Sequence, residues 1–212
     1  MINKNCTNCN SVLKETSVYC NSCGTKNAPS KLDNWANVYL QLGETDLLSQ
    51  INQNPLSWQW CVTYGNEAYD LMEYYEAIEY FTKALEFNIK EAEKLSHIYN
   101  MLGISYGQVQ ISDKCRLYLD LCISANPKNF VAWQNRAAYK IFFGENEAGL
   151  EDLRHLMENM EMQPKGWYFL GMAFENLKDY QKARMGYEKA IKEGYTIAKE
   201  NLEELLKKWP RN

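Results

Sequence analysis

One interval constrains this chain more than anything else in it. Trp133 and Trp167 stand 34 residues apart, and the same step joins Ala137 to Gly171, Gly149 to Ala183, Leu153 to Tyr187 and Leu156 to Ala190. Stepping back from Trp133 by the same interval reaches Tyr99, and Leu102, Gly103, Tyr106, Cys115, Leu119, Cys122 and Pro127 follow at matching offsets. A fixed period of this size is produced by stacked supersecondary units, each unable to bury its apolar face alone.

The content of the repeated unit narrows the choice. The copy from Pro164 carries Trp167, Leu170-Gly171, Phe174, Ala183, Tyr187 and Ala190, in the order large, Leu-Gly, aromatic, small, aromatic, small. Two antiparallel helices pack closely only where small residues let them cross. Gly103, Ala137 and Gly171 fill one such position, and Cys115, Gly149 and Ala183 another. The pattern resembles the tetratricopeptide repeat family. The copy from Phe130 departs from it at Arg136 and Lys140, where an apolar and an aromatic residue are expected.

A chain of 212 residues accommodates one medium domain and a small appendage. The appendage is written in residues 1–30, as Cys6-x2-Cys9-x10-Cys20-x2-Cys23 with Gly24 directly after the last cysteine. Each CxxC turn places two thiolates on one ion, and two such turns close a tetrahedral site. About thirty residues bury too little to fold alone, so a metal would supply the folding free energy. The spacer between the pairs is long enough for a small β-hairpin. The segment resembles the short zinc-ribbon modules of many prokaryotic proteins, with Tyr19-Cys20-Asn21-Ser22-Cys23-Gly24-Thr25-Lys26 close to their second knuckle. The expectation is one structural Zn²⁺ on Cys6, Cys9, Cys20 and Cys23; the alternative for these cysteines is a free or redox-active state. Four thiolate ligands leave no open position for a catalytic water.

The rest follows in order. Residues 31–57 read as a linker with N-terminal capping helices. One runs from Asp33 or Asn34 to about Leu42, with Trp35, Val38 and Tyr39 on its apolar face; a shorter one holds Leu47, Leu48 and Ile51. Four repeats are expected at 58–91, 96–129, 130–163 and 164–197. The four residues between the first two, Ala92 to Leu95, equal about one helical turn and should lengthen a helix without breaking the stack. Residues 198–212, with Leu202, Leu205, Leu206 and Trp209 at helical spacing, read as a C-terminal capping helix. The expected fold class is therefore all-α, an α-solenoid of about four tetratricopeptide-like hairpins behind a four-cysteine zinc ribbon.

Little points to catalysis. Cys115 and Cys122 occupy small buried positions of the repeat, and Cys61, His97 and His155 have no companions at ligand spacing. Phosphate-binding glycine loops and the HExxH pattern are missing, and no catalytic residues are assigned. A net charge of −4 argues against a protein built mainly for nucleic acid. The ribbon is locally basic through Lys4, Lys14, Lys26 and Lys31, yet it has only Tyr19 to stack on a base and no arginine. No apolar run approaches a membrane span, Asn3 to Asn5 open no signal-peptide core, and paired cysteines suit a reducing, cytoplasmic setting.

The resemblance implies a concave surface lined by the first helix of each repeat. The positions it indicates are Asn66 and Tyr69; Asn100, Met101 and Ile104; Gln134, Asn135 and Phe142; and Lys165, Tyr168, Phe169 and Met172. An apolar, aromatic stripe edged with amides suits an extended or helical peptide. The family's clamp for acidic C-terminal tails uses five set Lys, Asn and Arg positions, of which only Asn135 and Lys165 match, so no such clamp is expected. The implied function is a non-enzymatic scaffold or adaptor holding a protein or peptide partner. Two alternatives stand beside it: a zinc-ribbon factor associated with nucleic acid or ribonucleoprotein whose repeats recruit proteins, and a redox- or zinc-responsive regulator. Homodimerisation through the end helices fits the same sequence.

Overall fold

A computed structural model describes residues 5–13, 18–20, 22–28, 33 and 57–209. The capping helices expected between 34 and 56 lie outside these residues; Asp33 alone is described there, and it is helical. From Trp58 onward the described chain is helical hairpins: α1 (Trp58–Asp70) with α2 (Tyr74–Ala84), α3 (Ala92–Gln108) then α4 (Ser112–Ala125), α5 (Phe130–Phe142) with α6 (Asn146–Asn159), and α7 (Pro164–Asn176) with α8 (Tyr180–Lys192). A final helix, α9, spans Ala198–Lys208. No described helix is long and apolar enough to cross a membrane.

The turns show why the hairpins recur. Each of the four connects its helices through three residues, and the middle one is left-handed: Met72 at φ 62°, Gln110 at 60°, Gly144 at 88° and Lys178 at 61°. Around each, the next residue's N–H reaches back over the helix end, as Glu73 N does to Ala68 O at 2.9 Å and Asp179 N to Phe174 O at 2.9 Å. This satisfies carbonyls that a helix C-terminus otherwise leaves unpaired. Side-chain caps start several helices: Ser57 Oγ accepts from Trp60 N, and Asn129 Oδ1 from Ala132 N. The four extra residues enter α3, which has 17 residues against 13 in α1, α5 and α7.

The chain divides into two compact units, Met1–Tyr118 and Leu119–Asn212, with the division inside α4. In the first, α1 packs on α2, α2 on α3, and α1 on α3. Its core gathers Cys61, Ala77, Phe81, Ala84, Ile98 and Leu102, all fully buried, under a roof of Trp58, Trp60 and Tyr64. In the second, α5 packs on α6, α6 on α7, α5 on α7, α7 on α8, and α8 on α9. Its core holds two clusters, one around Ala137, Ile141, Leu153 and Leu156 and one around Ala183, Tyr187, Ala190 and Leu205. Thus α9 closes on α8 through Ala198 and Leu205, while Leu206 stays 43% exposed.

Small residues set the approach of α7 to α8. A Cβ on Gly186 would lie 2.7 Å from the Gly171 nitrogen and 3.0 Å from the Trp167 carbonyl, both backbone atoms that cannot swing away. Alanine normally favours a helix over glycine by about 1 kcal/mol. Here overpacking outweighs that gain, and Gly186→Ala is expected to destabilise the chain by about 1–3 kcal/mol. A thermal melt checks this; an unchanged or raised midpoint would show that the two helices can separate freely.

The departures at Arg136 and Lys140 have a partner that explains them. Arg136 donates through Nε and Nη2 to the two oxygens of Asp152 at 2.9 and 2.7 Å, and through Nη1 to Asp120 at 2.6 Å. Lys140 Nζ reaches the same Asp152 at 2.9 Å, and the Arg136 guanidinium lies 4.8 Å from the Trp133 ring centre. Asp152 is 4% exposed. One buried carboxylate on α6 therefore meets two cations on α5, where the repeat elsewhere uses apolar contact.

Candidate metal centre and repeat surfaces

The four cysteines of the N-terminal segment come together. Their sulfurs all lie within 4.8 Å of one another, with Cys6 Sγ to Cys23 Sγ at 3.6 Å and Cys9 Sγ to Cys20 Sγ at 3.5 Å. Ligands at ~2.3 Å from a tetrahedral zinc stand roughly 3.8 Å apart, so the spacing fits that ion. The two CxxC turns are built alike. Cys6 N donates to Ser11 O and Cys20 N to Thr25 O, both at 2.9 Å, and each turn ends on a left-handed residue, Asn10 at φ 59° and Gly24 at φ 72°. Antiparallel bridges flank each turn, Asn5 with Val12 and Tyr19 with Lys26. These pairings lie across the knuckles; the spacer considered for a hairpin is described only at its ends.

Donors around the sulfurs favour thiolates. The Thr25 hydroxyl, 3.1 Å from Cys23 Sγ, and the Thr25 amide bring that thiol down to about 6. Backbone N–H groups of Cys9 and Asn8 lower Cys6, whereas burial pushes Cys20 up to about 11. Among the described residues of the segment, Cys6, Leu13 and Cys20 are buried together, with Cys23 against them. Four sulfurs this close together could hold one metal ion.

Within the first unit the ribbon rests on α2. Tyr19 donates to Glu79 Oε2 at 2.9 Å and its ring stacks on Tyr75 at 6.1 Å; Lys26 meets Glu79 at 2.7 Å and Asp33 at 2.6 Å. Burial and the Glu79 carboxylate hold the Tyr19 phenol protonated far above its ordinary range. Gly24 lies against the same helix, since a Cβ there would come within 2.6 Å of the Tyr75 ring. The sequence pattern gave no sign of Tyr75 and Glu79 as docking residues, because both sit on what reads as the polar face of an ordinary repeat helix.

The surface positions are placed unit by unit. In the first, Asn66, Tyr69, Met101 and Ile104 are partly exposed, and Tyr69 packs edge-on to Tyr74 at 5.4 Å. Asn100 is buried at 8% exposure. In the second, Phe142 is 59% exposed, Lys165 is exposed with its Nζ 5.5 Å from the Phe169 ring, and Asn135 is partly exposed. Tyr168 lies among Phe169, Tyr187 and Tyr195, and Met172 touches both core clusters, so each does packing work as well as facing outward. Gln134 is buried at 7% exposure beside Gly166, and its Oε1 has no hydrogen-bond partner among the described residues. The remaining thiols are inert in character: Cys61, Cys115 and Cys122 are fully buried, and burial pushes Cys61 up to about 11 and Cys115 to about 12. His155 stacks on Trp133 at 3.9 Å.

The last hairpin carries the sequence signature most completely. Residues 164–193 match the tetratricopeptide repeat family. Solved structures extend the likeness to most of the chain. A tetratricopeptide repeat protein from Parabacteroides merdae ATCC 43184 is 24% identical, with a TM-score of 0.60 over 83% of this chain and 68% of that one. A MamA fragment from Desulfovibrio magneticus RS-1 is 14% identical, with a TM-score of 0.55 over 71% of this chain and 89% of that one. No curated protein matches the sequence. At these identities the likeness carries the fold alone: all-α, of the tetratricopeptide α-solenoid class.

Proposed function

We propose that this chain is a non-enzymatic scaffold that holds a partner polypeptide on the surface of its first helices, with the four-cysteine ribbon loaded by one structural zinc. The observation that carries the reading is in the second unit. There α5 and α7 pack directly on each other; Phe142 stands exposed at the end of α5, and Lys165 stands exposed at the start of α7 with its Nζ 5.5 Å from the Phe169 ring. Exposed aromatic and apolar groups with amides nearby give a peptide both buried area and backbone partners. Cys6, Cys9, Cys20 and Cys23 would hold the zinc, which supplies folding free energy and no chemistry of its own at a closed four-thiolate site.

The nucleic-acid alternative draws no support from the ribbon's own contacts. Its one stacking aromatic, Tyr19, is committed to Glu79 and Tyr75, and Lys26 is paired with Glu79 and Asp33. A reader of bases or phosphates needs those groups free. The test is capture of a partner by the full chain with and without nuclease, repeated with Phe142→Glu plus Lys165→Glu. Both side chains are exposed, so folding should be intact. The expected result is a protein partner that survives nuclease and falls at least about tenfold with the double variant, a loss of ~1.4 kcal/mol. Capture that disappears with nuclease, or that ignores both substitutions, would sink the reading.

A further inference from the structure

The opposite face of α7 carries a second feature. Residues on a helix advance by about 100° each, so Trp167, Leu170 and Phe174 lie across from Lys165, Tyr168, Phe169 and Met172. Above that face, in the second unit, is a cleft of about 530 Å³ between the end of α6 and the outer side of α8. Trp167, Leu170 and Phe174 form its floor. Met157 from α6 and Met185 from α8 form its walls, and they are 48% and 62% exposed. Two unbranched thioether side chains bordering an open aromatic floor make an adaptable apolar slot.

The rim is charged with one sign in excess. Lys182, Lys189 and Lys192 line it against a single carboxylate, Glu188, which already accepts from Arg184 Nε at 2.7 Å. Lys182 Nζ stands 5.1 Å from the Phe174 ring and Lys189 Nζ 5.5 Å from the Trp167 ring, so two ammonium groups are held directly over the apolar floor. Their own ion pairs, with Asp179 and Glu193 at 2.7 Å, join exposed lysines to partly exposed carboxylates within about one helical turn. Such pairs contribute little and exchange readily for an incoming carboxylate.

We infer that this cleft is a binding site for a polypeptide segment presenting a large apolar side chain between carboxylates. The apolar group would fill the slot between Met157 and Met185 while the acidic flanks meet Lys182, Lys189 and Lys192. The site is independent of the Phe142 surface, and its test separates the two. A phage library of random dodecapeptides is selected on the full chain, and the enriched peptides are synthesised. Their affinities are then measured against the parent chain, Met185→Glu, Lys182→Glu with Lys189→Glu, and Phe142→Glu. The expected peptides carry an aromatic or large aliphatic residue flanked by Asp or Glu. They should weaken at least about tenfold on Met185→Glu and on the charge reversal, and stay unchanged on Phe142→Glu. Melting curves of the variants guard against misfolding, which Met185, standing at the surface, is poorly placed to cause. Peptides that are neutral or basic, that ignore Met185→Glu, or that fail to enrich at all would overturn the site. Peptides lost only on Phe142→Glu would overturn it and leave the first-helix surface standing.

Discussion

Asp152→Ala is expected to destabilise the second unit by about 3–5 kcal/mol, the range seen when one partner of a buried ion pair is removed. The carboxylate is nearly inaccessible, and its loss leaves Lys140 without its carboxylate partner and Arg136 with only the half-exposed Asp120. Asp120→Ala provides the contrast. It deletes an equally short contact to Arg136, but Asp120's side chain is 50% exposed, so the effect should stay within about 1 kcal/mol. A third variant reads the logic in reverse. Changing Arg136 and Asp152 to Leu together with Lys140→Tyr restores the apolar and aromatic character of the other repeats. It should recover most of the lost stability, since well-packed apolar groups commonly replace buried ions without penalty. Urea unfolding of the three variants decides the matter. If Asp152→Ala costs less than about 1 kcal/mol, water reaches the cluster and the buried-pair account is wrong.

The second large effect is expected at the ribbon. Structural zinc in small modules binds with an apparent free energy of about 10–16 kcal/mol, and in such modules binding is folding. Among the described residues of this segment, Leu13 is the one buried apolar side chain besides the cysteines, so a bound metal would carry most of its folding free energy. Purified chain is expected to carry one zinc by elemental analysis, and Cys20→Ser or a strong chelator should remove it. Loss of metal should then release Tyr19 from Glu79 and Tyr75, visible as a change at the tyrosine side-chain resonances, while signals from α5 to α8 stay in place. A chain that holds no zinc, or whose Tyr19 contacts survive chelation, would rule out the structural-metal role. Oxidative release of the metal under mild peroxide, by contrast, would favour the regulatory alternative.

The two parts of the chain were legible to different degrees. The helical hairpins follow from period and residue size, since Gly103, Ala137 and Gly171 are buried small residues at matching positions of the repeat. The cysteine cluster follows from spacing alone, and the left-handed residue after each knuckle was visible at Gly24 though not at Asn10. Asp152 was illegible as the partner of Arg136 and Lys140 because it lies on the other helix of the hairpin, where an isolated acid looks like any solvated side chain. Positional rules also placed Asn100 and Gln134 among the surface residues, while the fold encloses both. For Gln134 the cause is visible: the start of α7 at Gly166 lies against its Oε1, a detail of packing that a repeat register does not contain. The cleft over α7 escaped notice for a related reason. Trp167, Leu170 and Phe174 are the residues such a repeat normally uses for packing, and only the geometry of α6 and α8 leaves them open.

The longer α3 has a consequence for anyone splicing hairpins of this kind. Four added residues rotate a helix by about 400°, a net offset of only about 40°, so the inward stripe keeps facing inward. Two added residues would turn it by about 200° and present the wrong side. The three-residue turns offer no slack, since their left-handed centre and reaching N–H fix their length. Grafts and insertions should therefore be tolerated at the start of a first helix, in near-whole turns, and rejected elsewhere in the hairpin. Interchangeability of parts in this chain is quantised by the helical pitch.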